Sequence, residues 1–327
     1  MKVLLVFPET PRAAFNTARG WWNALTHDPD VETVDAVHSR GYYGLPEHYR
    51  LSDLPLAKGY DLAIAVWGYQ VDGVLPPGAK LGAKKSAIVL TDEPYETSQT
   101  LKLSTGPNAG RYDVVASQDS ATAGQHPGGI YLPVAWDPHL QPTINVQSGC
   151  ELFDVGWVGG SDNRRKKWLK SLNWQLRGAK WLSVGTVKRP WMSNASCRYY
   201  SRLPGWASPG KGFLSPEHVM GLYRLCRVVL NVHRDPNGVV EAESPNPRVY
   251  ECMALGVPCL NDYRKNLPEG CLVFGSPSEM AAFAKQLLAG SECAAKQAQK
   301  SVEMGLALAK DHTYARRWQK LREALGI

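Results

Sequence analysis

The sequence predicts an α/β chain of two Rossmann-like domains in tandem, and three observations predict it. Short apolar runs alternate with amphipathic stretches of helical period through both halves. A break rich in Pro, Pro133-Val134-Ala135-Trp136-Asp137-Pro138 followed by Gln141-Pro142-Thr143, interrupts the alternation midway. The 327 residues suit about two domains, and 44% hydrophobic content is enough to give each a core.

Taken in order, Lys2 to Phe7 reads as the first strand and Thr17 to Leu25 as the helix that follows it. Trp21 and Trp22 in that helix divide between core and surface. Further strands are expected at Leu62 to Val66, Ser86 to Leu90, Val114 to Ala116 and Ile130 to Leu132, each running into polar or Gly/Pro-rich residues. These five units make a domain over residues 1–140. The boundary falls near residues 135 to 150, where composition shifts.

Beyond it the alternation restarts. Strands are expected at Phe153 to Val158, Trp181 to Val184, Val228 to Val232, Pro258 to Asn261 and Leu272 to Phe274. Helices are expected at Arg165 to Leu172, Pro216 to Cys226, Pro247 to Ala254 and Pro277 to Ala289, a second domain over 150–310. From Glu292 onward only helices are read. The last, from about His312 to Leu325, carries Tyr314, Trp318 and Leu321 on one stripe suited to packing. Open α/β sheets bind ligands at the C-terminal ends of their strands, so the chemistry is expected at strand ends facing a cleft between the domains.

Bulk properties bound the function. A net charge of +7 and a pI near 9.0 favour an anionic partner: a nucleotide, a nucleic acid or an anionic membrane surface. The seven cysteines form no C-x-x-C pair, and an odd number argues against a disulfide framework and a zinc site. They are read as reduced, mostly buried hydrophobes. The apolar run after Met1 is stopped by Pro8 and Glu9, short of a signal peptide or a spanning helix, so the expected compartment is the cytoplasm.

The strongest local signal is Val229-Leu230-Asn231-Val232-His233-Arg234, followed by Glu243 to Glu251 and Ala254-Leu255-Gly256-Val257-Pro258-Cys259. A strand ends in polar groups, a loop enters a helix, and a Gly turn leads to the next strand. Pro247 suits the first helical position and Asn246 the cap, so the helix N-terminus could receive a diphosphate. Arg248 offers a planar fork that fits phosphate oxygens. Glu243 and Glu251, with seven residues between them, bracket the turn with carboxylates able to accept bonds from sugar or ribose hydroxyls. Taken singly, each of these residues reads better as a helix start or an ion pair, and their arrival together after a buried strand tips the reading toward a site.

On these residues the C-terminal half resembles the group-1 type glycosyltransferase domain of CgeB-like (spore-maturation) proteins. The resemblance rests on Leu230 to Arg234, Asn246-x-Arg248-x-x-Glu251, Ala254-Leu255-Gly256 and His312-Thr313-Tyr314-x-x-Arg317. Phe153-Asp154-Val155-Gly156-Trp157-Val158-Gly159-Gly160 with Asn163-Arg164-Arg165 extends it, so it spans about 150 to 318. The resemblance implies a GT-B fold, a nucleotide-diphosphate sugar donor (a UDP-sugar favoured) held by the C-terminal domain, and no obligatory metal. It implies a retaining pair, with Glu251 toward the ribose and Glu243 toward the donor sugar, and a last helix over 311–327 that returns to the N-terminal domain. The turn between the glutamates, Ser244-Pro245-Asn246-Pro247, departs from the family's glycine-rich one, and Glu241 adds another acid nearby.

Further candidates follow from position. The resemblance places Gly159 in the glycine turn on the donor side. Arg164 is assigned to phosphate, and Lys166 and Lys167 to a solvated helix face. Lys188 and Arg189 stand after the Trp181 strand, within reach of phosphate or in an exposed loop. His233 reads either as a contact to the donor sugar or as a satisfied core histidine. On the acceptor side Asp92 could orient or deprotonate a hydroxyl, with Glu93 beside it, and Trp67 and Tyr69 could stack on a sugar or base. The alternatives are sugar transfer to hydroxylated bases of DNA, a sugar-nucleotide epimerase of the same fold, and a non-catalytic nucleotide-binding protein.

Overall fold

The computed structural model describes residues 1–6, 15–37, 49–66, 71, 74–76, 78–91, 110–143, 151–160, 162–184, 198–199, 215–234 and 243–327. In chain order the elements are β1 (Lys2–Val6), α1 (Phe15–Thr26), β2 (Thr33–Val37), β3 (Lys58–Val66), β4 (Gly82–Leu90), β5 (Val114–Ser117), α2 (Ser120–Gly124), β6 (Ile130–Tyr131), β7 (Phe153–Val158), α3 (Asn163–Gln175), β8 (Trp181–Val184), β9 (Arg198–Tyr199) and α4 (Pro216–Arg224). They continue as β10 (Cys226–Asn231), α5 (Pro247–Leu255), β11 (Cys259–Asp262), β12 (Leu272–Phe274), α6 (Pro277–Leu288), α7 (Glu292–Ala309) and α8 (Tyr314–Leu325). The chain divides into two compact units.

The first unit comprises Met1–His139, Ala242–Ser244 and Thr313–Ile327. Its sheet is fully parallel in the order β2-β1-β3-β4-β5-β6. The strand β2 is absent from the sequence reading, because Thr33-Val34-Asp35-Ala36-Val37 alternates polar and apolar residues at a sheet edge and gives no continuous apolar run. The strands β3 and β4 begin earlier than expected. Their leading residues, Lys58-Gly59-Tyr60-Asp61 and Gly82-Ala83-Lys84-Lys85, lie mostly outside the core, so hydrophobicity marks only the buried ends.

Helix α8 closes one face of this unit. Thr313 caps it by accepting from the Arg316 amide, and Gly326 ends it in the left-handed conformation. Tyr314, Trp318, Leu321 and Leu325 are buried in the same core as Trp21 and Leu25 of α1, and Trp22 is only partly buried against it. At Gly20 a Cβ would occupy the position of the Tyr314 ring, so the close approach of α8 to α1 requires glycine there. Arg317 donates from Nε to the Pro133 carbonyl at 2.8 Å.

The indole N–H of Trp318 donates to the Asp28 carboxylate at 2.5 Å, and Arg322 donates to it at 3.1 Å. Burial raises the Asp28 pKa, but the Asp30 amide, Trp318 and Arg322 outweigh that and hold it below the ordinary carboxylate value. A depressed folded-state pKa stabilises the fold above the unfolded value, and this stability is lost as pH falls through it. Acid unfolding followed by near-ultraviolet circular dichroism is therefore expected to weaken the fold below about pH 4, with Asp28→Asn flattening part of that slope.

The second unit comprises Leu140–Glu241 and Pro245–His312. Its parallel sheet runs β12-β11-β10-β7-β8-β9. From β7 the chain builds outward through β8 and β9, then returns to lay β10 on the other side of β7. The order thus reverses between β7 and β10, the place in an open α/β sheet where ligands bind at the strand ends. Val155, Trp157, Leu169, Trp181, Val228, Leu230 and Leu260 form the core between this sheet and the helices α3 and α6. Cys226, Cys252 and Cys259 are buried free thiols, and Cys293 is exposed. Among the described residues no helix is long and apolar enough to cross a membrane.

Candidate functional site

The polar side chains of the second unit gather at its switch point. Three strand ends meet there, with Gly159 following β7, Asn231 and His233 at the end of β10, and Asp262 at the end of β11. Helix α5 starts opposite with Pro247 as its first residue, as Asn246 and Pro247 suggested. The cap differs from expectation: the Asn246 side chain makes no cap bond and instead donates from Nδ2 to Asn231 Oδ1 at 2.8 Å. The Asn246 side chain thus leaves the first turn of α5 without its bond, and among the described residues Asn246 Oδ1 is buried without a hydrogen-bond partner.

Arg248 turns inward from this first turn and is 7% exposed. Its Nη1 donates to Asn231 Oδ1 at 2.8 Å, its Nε to the Tyr223 hydroxyl at 3.3 Å and its Nη2 to the Val158 carbonyl. The guanidinium lies over the Trp157 ring, 4.6 Å from its centroid. Every one of these partners is neutral. Gly159 sits against it at φ 149°, and a Cβ there would stand 2.7 Å from Nη2. Gly159→Ala is expected to push the guanidinium aside, read as a lower urea midpoint with little loss of secondary structure.

A second buried guanidinium has the same character. Arg264 is 7% exposed, its Nη2 donates to the Arg234 carbonyl at 2.7 Å, and its Nε has no partner among the described residues. Arg164 and Arg165 come from the first turn of α3, which Asp162 caps by accepting from the Arg165 amide at 2.8 Å. Arg164 pairs with Asp262 and donates to the His233 carbonyl at 3.1 Å. Arg165 donates to the Val232 carbonyl at 2.8 Å, and burial together with the neighbouring Arg248 lowers its pKa to about 10, so it remains charged at neutral pH. Lys166 and Lys167 are exposed, as the solvated-face reading had them.

His233 is buried at the end of β10. Its Nδ1 lies 2.5 Å from Asp262 Oδ1, its amide donates to the same oxygen at 2.9 Å, and its Nε2 lies 3.3 Å from Asn231 Nδ2. Burial outweighs the Asp262 contact and lowers its pKa to about 4, so the ring is neutral at neutral pH. Burial alone would raise the Asp262 pKa, but His233 and Arg164 hold it well below the carboxylate range. Glu251 is buried within α5 at 3% exposure.

Glu243 belongs to the first unit, where its Oε2 accepts from the Ser120 amide at the start of α2 at 3.1 Å. The next residue, Ser244, is 2.6 Å from the Tyr131 hydroxyl and donates to the Gln118 carbonyl at 2.6 Å. The structure thus brings Gly159, Arg164, His233, Asn246, Arg248 and Glu251 into one unit, without Glu243. Trp67, Tyr69, Asp92, Glu93, Lys188 and Arg189 lie outside the described residues.

Tyr223, Trp157, Asp262 and Arg264 were not among the sequence candidates. The signal for Asp262 was present: Asn261-Asp262 puts two polar residues at the end of a buried strand, which is costly unless they are partnered.

Residues 164–323 match the model of the glycosyl transferase-like family. The solved structure of the DNA-modifying enzyme β-glucosyltransferase, with and without uridine diphosphoglucose, is 12% identical with a TM-score of 0.58, all of each chain being covered. An α-glucosyltransferase in complex with UDP and a 13-mer DNA has a TM-score of 0.67 at 8% identity, covering 100% of this chain and 99% of the other. A UDP-forming α,α-trehalose-phosphate synthase from Burkholderia vietnamiensis has a TM-score of 0.58 at 11% identity over 100% of both. A search of curated protein sequences returns no match.

Two Rossmann-like units and these likenesses define a GT-B fold. The family match, over residues 164–323, assigns just under half of the chain, most of it in the second unit, to a glycosyl transferase-like family.

Proposed function

We propose that the protein transfers a sugar from a UDP-sugar to an acceptor hydroxyl, and that the C-terminal unit holds the donor diphosphate where β7, β10 and α5 meet. One observation carries this reading: among the described residues, Arg248 and Arg264 are buried guanidiniums with no carboxylate among their hydrogen-bond partners. Burying an unpaired charge is costly, so fixed cations, one of them in the first turn of α5, are what an anionic ligand would complete. The uridine diphosphoglucose, UDP and UDP-forming chemistry of the similar structures favour the uridine nucleotide.

In this reading the chemistry is charge stabilisation. As the bond from the anomeric carbon to phosphate oxygen breaks, the leaving diphosphate gains negative charge, and preorganised guanidiniums lower that barrier without reorganising. Arg248, Arg264 and Arg164 supply it, so no obligatory metal is needed, and excess EDTA should leave turnover unchanged. Glu251 is assigned to the ribose hydroxyls, Glu243 to the donor sugar and Asp92 to the acceptor proton, with retention at the anomeric centre and Trp67, Tyr69 and Glu93 facing the acceptor. The test is thermal denaturation with UDP, ADP and GDP, followed by UDP-sugars. At one hundred times Kd a ligand stabilises by about 2.7 kcal/mol. UDP is expected to raise Tm and the others much less; no response to any nucleotide diphosphate would sink the donor reading. An altered sugar formed from donor alone would replace transfer by epimerisation.

A DNA acceptor is the second reading, favoured by the net charge of +7 and by the DNA named for two of the similar structures. It predicts that affinity for duplex DNA falls linearly with the logarithm of salt concentration. Binding that is absent at low salt removes it.

A further inference from the structure

The buried amides and imidazole at the β10 and β11 ends form one connected chain whose hydrogen-bond direction is fixed at both ends. At one end Arg248 can only donate, so the atom of Asn231 facing it must be the carbonyl oxygen Oδ1. That oxygen also accepts from Asn246 Nδ2 at 2.8 Å. The Asn231 amide nitrogen must then point the other way, where its two N–H groups meet Asn261 Oδ1 at 2.9 Å and His233 Nε2 at 3.3 Å. All four hydrogen-bonding positions of Asn231 are thereby used. Because Nε2 accepts, the single ring proton of neutral His233 sits on Nδ1, and it donates to Asp262 Oδ1 at 2.5 Å. Asp262 is fully buried, is paired with Arg164, and as a carboxylate can only accept.

A chain bounded by an obligate donor and an obligate acceptor has one direction. We infer that Asp262, acting through His233 and Asn231, is a positioning residue that orients Arg248 and Asn246 for the donor diphosphate. The residue touches no ligand itself in this scheme. It sets the His233 tautomer, the tautomer sets the Asn231 amide, and the amide oxygen holds both groups at the start of α5. His233 is accordingly the middle of a relay rather than a contact to the sugar. This inference rests on the donor reading above.

The test has two arms on the full-length protein. In the wild type, nitrogen-15 chemical shifts of the His233 ring are expected to show one neutral tautomer with the proton on Nδ1; the Nε2–H tautomer, or a mixture, overturns the inference without any substitution. In Asp262→Asn the amide can present either its oxygen or its nitrogen to Nδ1, so the tautomers are expected to mix and the UDP affinity measured by calorimetry to fall roughly tenfold, the scale of one charge-assisted hydrogen bond. Wild-type UDP affinity together with mixed tautomers overturns the coupling of Asp262 to the site. Asp262→Glu, which restores an obligate acceptor, should return the Nδ1–H tautomer and part of the affinity, a rescue that a purely structural role for the carboxylate would not couple to the imidazole shifts. If the wild type itself binds no UDP, the donor reading fails, and the tautomer arm still decides whether the chain has the stated direction.

Discussion

Replacing Arg248 with Ala is expected to weaken UDP binding by roughly a hundredfold and to cost the fold about 2–5 kcal/mol. Both effects follow from where the guanidinium sits. It is the group that joins α5 to the ends of β7 and β10, through the Val158 carbonyl, Asn231 Oδ1 and the Tyr223 hydroxyl. Truncation leaves the first two as buried acceptors short of a donor and removes the cation stacked on Trp157. Arg248→Lys keeps the charge but not the fork, so it should recover part of the stability while reaching only one of the three partners. Calorimetric titration with UDP and urea denaturation separate the two effects. Arg248→Ala that binds UDP as the wild type does would remove the residue from the donor site.

The largest purely structural effect is expected at Trp318. It is 2% exposed, packs in the core of the first unit and donates its indole N–H to Asp28. Trp318→Ala is expected to destabilise by about 3–5 kcal/mol, the usual range for emptying a buried aromatic site. Trp318→Phe fills most of that volume and loses the hydrogen bond, so its cost should be nearer 1–2 kcal/mol. Urea unfolding monitored by tryptophan fluorescence measures both. An Ala variant that unfolds at the wild-type midpoint would show that α8 contributes little to the core it enters.

How much of this was legible before the structure depends on how local each feature is. The strands β7, β8 and β10 were placed within a residue or two, because buried parallel strands are continuous apolar runs. The strand β2 was missed for the converse reason: half its side chains face away from the core. In the site, His233, Asn246 and Arg248 were legible because strand end, cap position and helix start are neighbours in sequence. Asp262 and Arg164 were not legible as a pair, since they lie 98 positions apart and meet only when β11 and α3 close on one strand end. The placement of Glu243 was equally out of reach: the spacing of the two glutamates is visible, but the bond from the Ser120 amide is not. Asn246 was read as a cap from its type, and the local rule yielded to a buried acceptor on Asn231.

The first unit is assembled from pieces that are distant in the gene, since Thr313–Ile327 folds with Met1–His139. Both chain ends come to one residue: the Met1 amino group donates to the Asp30 carbonyl at 3.0 Å, and Arg322 reaches the Asp30 carboxylate at 2.9 Å. A circular permutant that joins Ile327 to Met1 through a short glycine linker and opens the chain after His139 would turn nearly all of this unit into one uninterrupted stretch of polypeptide. Cutting the natural order at the same place instead strips α8 from its core and leaves Trp21 and Leu25 facing water.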